Sequence, residues 1–311
     1  MARRPRRETA SVGRCVHARS AAVHARSWEV VGRLRARGPY GLLVADPQAR
    51  DPLADVTSLP GVFEALDAAR GAVDALLRDL RGPALRRRGP QVGAVALRRA
   101  SWASAVLETG GPVEVDRVTF GPPFGDDAAG RVCAGAWRVG GAVGSLVPTW
   151  ERAPAQALAR LHALAAADLV DASALGRPDP AVVGGTDRLN GLVDLVSTPT
   201  TAPALVLAAV VHGELAAVRP FGSMDGVVAR AAARLVTTGR GLDPTGTAVV
   251  EAGHLELGAT TYAEALAGYR GGTAAGVAAW VVHCAQATVL GARLGRALAA
   301  ELVDDAGLVD G

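Results

Sequence analysis

From residue 62 onward, apolar positions recur at helical spacing along most of the chain. Val62, Leu66, Ala69, Val73, Leu76 and Leu77 lie three or four residues apart and predict a helix over 62–80. The same reading predicts helices over 92–108, 130–146, 153–169, 187–196, 203–218, 226–238, 261–269 and 274–301. Gly110, Gly111 and Pro112 stop the second of these, and Pro154 suits the first turn of the fourth. Pro220 closes the 203–218 segment, because its ring bars a helix from continuing. Residues 51–61 read as a linker, 114–127 as extended and turn-like, and 170–186 as the longest irregular stretch of the body. Residues 239–246 read as a helix stop and a turn. Two-residue alternation is almost absent and no internal repeat is visible. The predicted class is mainly α, a helical bundle with a short irregular flap.

Composition refines this picture. Half of the 311 residues are apolar but only 4% are aromatic, so Ala, Val and Leu must build the core, which favours closely packed helices. The net charge of +3 conceals an asymmetry: residues 1–40 carry ten Arg and two Glu, a local +8, and the rest is mildly acidic. Three regions are expected: a disordered Arg-rich arm over 1–50, an N-terminal helical region over 51–127, and a helical core over 128–311. The arm could contact nucleic acid through residues 1–40, and its spaced arginines interrupt any secretory signal. The uncharged runs 197–213 and 271–292 read as buried helices; no membrane span and a cytoplasmic location are expected. Cys15, Cys133 and Cys284 lie far apart without a CxxC, and the histidines lack HxxH or HxxxH spacing, so no metal site is expected. His212, two helical turns ahead of Arg219, reads as a hydrogen-bonded core histidine.

The most specific segment is 203–244, a helix, a tight loop and a second helix. The loop RPFGSMDG presents Arg219, buries Phe221 and bends at Gly222 and Gly226. It launches a helix whose first turn has free N–H groups and a positive dipole end, the physical recipe for an anion cradle.

This segment resembles the Fic/DOC (Fido) family, whose signature is HPFx[DE]GNGRxxR between two helices. RPFGSMDGVVAR at 219–230 keeps Pro220, Phe221, Gly226 and Arg230. A helix of the form P-x-x-x-x-A-A-x-x-H-x-E-L precedes it, and Tyr262, Leu266, Tyr269, Gly271, Gly272 and Trp280 resemble the family's tail. Residues 158–165 are similar to the helix that opens the Fido core. The resemblance spans roughly 150–300.

It implies a protein adenylyltransferase fold, in which a signature His deprotonates a target hydroxyl that then receives AMP from ATP. An acidic residue holds Mg²⁺, and loop amides and arginines hold the phosphates. Here Arg219 stands at the base position, and a guanidinium cannot take a proton near neutrality. Ser223 replaces the acidic residue, Met224 the first glycine, Asp225 the asparagine and Val227 the first arginine. The resemblance therefore implies an inactive or repurposed transferase; the alternative is a non-catalytic module that binds a nucleotide or a protein. Phe221, Gly222, Ser223, Asp225, Gly226 and Arg230 are the implied nucleotide- or phosphate-binding positions. ATP is the implied ligand, without dependence on Mg²⁺. The family's inhibitory motif [ST]xxxE[GN] is similar to SAVLET at 104–109, so Ser104 and Glu108 are implied inhibitory residues, Glu108 pairing with Arg230.

Overall fold

The computed structural model describes residue 51 and residues 53–111 and 122–307, and no strand occurs among them. The arm of 1–50 and most of the 114–127 stretch lie outside the described residues. Among the described residues, ten α-helices follow a short 3-10 turn at Ala54–Ser58. They are α1 (Val62–Leu80), α2 (Gly89–Thr109), α3 (Ala128–Arg152), α4 (Pro154–Ala165) and α5 (Gly185–Ser197), then α6 (Ala204–Val218), α7 (Asp225–Gly239), α8 (Val250–Leu257), α9 (Ala259–Arg270) and α10 (Ala274–Gly307).

The centre of the bundle is α6, where every residue from Leu205 to Ala217 is buried. A helix apolar on all sides can sit only inside a shell of others. Helices α5, α7, α9 and α10 pack against it, and α3 and α2 close over α7. Close approach depends on Gly213, where a Cβ would meet the Trp280 indole nitrogen at 2.8 Å and the Tyr269 ring at 2.9 Å. Trp280 is fully buried and donates its N–H to the Ala209 carbonyl at 2.7 Å. Glu214 is buried in the middle of α6, compensated by Arg188 at 2.6 Å and the Tyr269 hydroxyl at 2.8 Å. By length and composition α10 could cross a membrane; here more than half of its most apolar stretch is buried inside the bundle.

Three expectations need correction. Residues 51–61 are packed rather than a free linker: Leu53 and Val56 enter the core, and the Asp51 carboxylate accepts from the Thr200 hydroxyl and the Thr201 N–H and hydroxyl. The polar, Pro-containing composition masked these two anchors. Residues 130–146 are only part of α3, which begins where Asp127 Oδ1 accepts the Gly130 N–H at 2.7 Å and runs through Pro148 to Arg152. The following helix, α4, is correspondingly shorter than 153–169 and ends at Ala165. Helix α8 was not anticipated; at eight residues it is too short for periodicity to reveal.

Candidate functional site

The loop between α6 and α7 is formed by a backbone that reverses sharply twice. Arg219 (φ 53) ends α6 and Met224 (φ 54) precedes α7, both in the left-handed region, with Gly222 (φ 73) between them. Met224 is buried, and Arg219 is exposed to solvent. Phe221 is buried with its ring stacked on His162 of α4, centroids 4.4 Å apart and planes within 10°. His162 Nε2 lies 3.3 Å from Ser223 Oγ, while its Nδ1 accepts the Gly176 N–H at 2.9 Å. That acceptance fixes the proton on Nε2, so His162 donates to Ser223 and cannot activate it as a base. The irregular 170–184 segment leans on the same loop: the Asp179 N–H donates to the Pro220 carbonyl at 2.8 Å.

Asp225 turns inward. It is 1% exposed, its Oδ1 accepts the Phe221 N–H at 2.9 Å, and its Oδ2 is buried without a partner. Burial raises its carboxyl to about 7 against the pull of the Phe221 N–H and Arg219, and Glu108 adds to the rise. Arg219 and Asp225 are thus arranged opposite to a cradle with Arg219 pointing in and Asp225 capping outward.

Glu108 reaches the loop from α2. Its Oε2 would lie 2.2 Å from a Cβ at Gly226, so only glycine leaves room for the carboxylate at the start of α7, where the helix dipole favours it. The same oxygen lies 3.2 Å from Arg230 Nη2. Arg230, 4% exposed, is held further by Ser104: its Nε donates to the hydroxyl at 2.9 Å and its Nη2 to the carbonyl at 2.8 Å. The structure therefore brings Ser104, Glu108, Gly226 and Arg230 together.

The arrangement of helices around α6 has a counterpart among solved structures. The model is similar to the crystal structure of a Fic family protein from Desulfovibrio desulfuricans G20, with a TM-score of 0.58, 16% identity, and coverage of 82% of this chain and 76% of that one. The fold is Fic-like. No family model matches the sequence. No curated protein matches it either.

Within this Fic-like fold, several contacts escaped sequence reasoning. His162 was visible as a histidine in the helix that opens the core, but its stacking on Phe221 spans two distant segments. Tyr262 carries its hydroxyl to His212 Nε2 at 2.8 Å and accepts from Arg230 Nη1 at 3.5 Å. His212 is a buried, hydrogen-bonded core residue. Histidines without local spacing nevertheless meet: His212, His254 and His283 gather around Trp280 and Tyr262.

Proposed function

We propose that this chain is a Fic-fold protein that does not transfer AMP, and that its altered loop is a binding module governed by Glu108. The reading rests on one observation: two carboxylates, Asp225 and Glu108, occupy the start of α7 while Arg219 faces solvent. A phosphate placed there meets the Glu108 carboxylate on one side and, on the other, an Asp225 carboxyl about half ionised near pH 7; at an effective dielectric near 20, a full unit charge at ~4 Å opposes it by about 4 kcal/mol before screening. Ser223 offers a hydroxyl in place of a carboxylate for Mg²⁺, and Arg219 offers no base. The residues present do not fit Mg²⁺ and ATP in this arrangement. Withdrawal of Glu108 would free the Arg230 guanidinium and the amides of α7 for a nucleotide or phosphate.

ATP carrying a labelled α-phosphate, with Mg²⁺, is expected to leave this chain and added proteins unlabelled. Calorimetry is expected to show ATP binding by the wild type no tighter than millimolar (about −4 kcal/mol), with and without Mg²⁺. Glu108→Gly is expected to tighten it. Label transfer lost on changing Arg219 would overturn the proposal. A second reading, a protein partner with an acidic surface, is favoured by the solvent-facing Arg219, beside which Arg270 adds a second positive charge. Failure of ATP, ADP and phosphate to shift the Tm of both wild type and Glu108→Gly would select it.

A further inference from the structure

Tyr262 leads from the Arg230 ion pair to a second cluster that this reading does not use. His212 of α6, His254 of α8 and Cys284 of α10 converge so that one donor atom from each lies within 4.8 Å of the others. They are 2%, 2% and 4% exposed. They also share the wall of a cavity of about 40 Å³, room for an ion and a water, whose remaining lining includes Leu205, Ala208 and Ala209. Packing alone would not require three polar donors in that wall.

Each imidazole is already oriented by a hydrogen bond from one of its nitrogens. His254 Nδ1 lies 3.0 Å from His283 Nε2, and His212 Nε2 lies 2.8 Å from the Tyr262 hydroxyl. Outer partners of this kind fix the ring and tautomer of metal-bound histidines, leaving the second nitrogen of each ring for the ion. Burial, then neighbouring cationic groups, hold both rings well below the usual histidine range, so they are neutral and carry a free lone pair. His283 is pushed down to about 4 by burial and stays a neutral partner.

We propose that His212, His254 and Cys284 bind a late first-row divalent ion, Zn²⁺ foremost, with a water from the cavity as fourth ligand. A tetrahedral Zn²⁺ at ~2.0–2.1 Å from nitrogen and ~2.3 Å from sulfur spaces its donors roughly 3.3–3.6 Å apart, so side-chain rotations of about 1 Å complete the site. The Cys284 sulfur forms its bond to the ion as its proton leaves to solvent. Burial raises the free thiol, and the ion's charge compensates the thiolate that forms. Two arginines share the cavity wall, and each is already opposed by a carboxylate, Arg230 by Glu108 and Arg234 by Glu251.

Co²⁺ titration of the metal-stripped full chain, with Cys15 and Cys133 replaced by serine, tests the site. One equivalent is expected to give a thiolate-to-cobalt charge-transfer band and intense tetrahedral d–d bands, both abolished by Zn²⁺. Cys284→Ser is expected to remove the charge-transfer band. His283→Ala is expected to preserve the bands while weakening affinity roughly 10-fold or more, the mark of a positioning residue. Below the thiol's titration, affinity is expected to rise about tenfold per pH unit as one proton is released. An octahedral spectrum, no stoichiometric binding, or bands that persist in Cys284→Ser would overturn the proposal. If Cys284→Ser fails to fold, the spectrum of the parent chain decides alone.

Discussion

Arg230 and Arg234 stand one turn apart on α7, each paired with a glutamate, yet they are anchored differently. Arg234 donates to both Glu251 oxygens and to the Gly246 and Ala248 carbonyls, tying the 240–249 connection to α8. Glu251 is its only side-chain acceptor among the described residues, and burial and this carboxylate dominate its environment. Arg230 divides its donors among Ser104, Tyr262 and Glu108, so the glutamate is one support among several. The difference separates a fixed staple from a latch: one glutamate, backed by Asp243, ties a junction shut, whereas the other can leave with its arginine still hydrogen-bonded, though without a carboxylate.

The comparison is broken most directly by Glu251→Ala. It leaves the mostly buried Arg234 without its bonded carboxylate, with Asp243 the remaining attraction, and a loss of about 3–5 kcal/mol in urea unfolding is expected. A loss as small as that of Glu108→Ala would erase the distinction. Asp225→Asn sharpens the contrast from the loop side. With the folded carboxyl raised from 3.8 to about 7, the folded state holds its proton more tightly, so wild-type stability falls as pH rises from about 4 through about 7. Asparagine removes that penalty: above pH 7 the variant is expected to be more stable by as much as about 4 kcal/mol, with the gain vanishing near pH 4. Thermal unfolding across this pH range checks the sign. Glu108→Ala is expected to cost less, about 2–3 kcal/mol: Arg230 keeps its Ser104 and Tyr262 acceptors, but its buried guanidinium loses its carboxylate. Ser104→Ala removes one side-chain acceptor and is expected to cost about 1 kcal/mol.

Much of the architecture could be read from periodicity. Residues 62–80 form α1 with the predicted apolar stripe buried, and the 203–218 segment forms α6 but for Pro203. Local pattern works there because one face, or every face, meets the core. The proximity of Glu108 to Arg230 was legible only through spacing that resembles a known motif, because it joins α2 to α7. The inward turn of Asp225 was illegible: nothing in RPFGSMDG indicates whether its aspartate caps outward or accepts the Phe221 N–H. The His212, His254 and Cys284 cluster was hidden for a related reason. Its members come from three helices whose relative placement depends on contacts such as Gly213 against Trp280, which sequence spacing cannot encode.

Met224 holds a backbone shape that glycine would adopt at no cost, and a left-handed methionine bears about 1–2 kcal/mol for doing so. Its side chain lies buried, its methyl group so close to Gly135 that a Cβ there would fall 2.9 Å from it. The loop is consequently cast before any visitor arrives, like a mould held shut by a peg. A ligand that fits the existing contour owes little ordering entropy, whereas one that needs residue 224 to turn right-handed must first draw the peg from its socket. Selectivity at this corner would then follow the outline of the main chain and the grip of one thioether, more than the solvent-facing guanidinium at its rim.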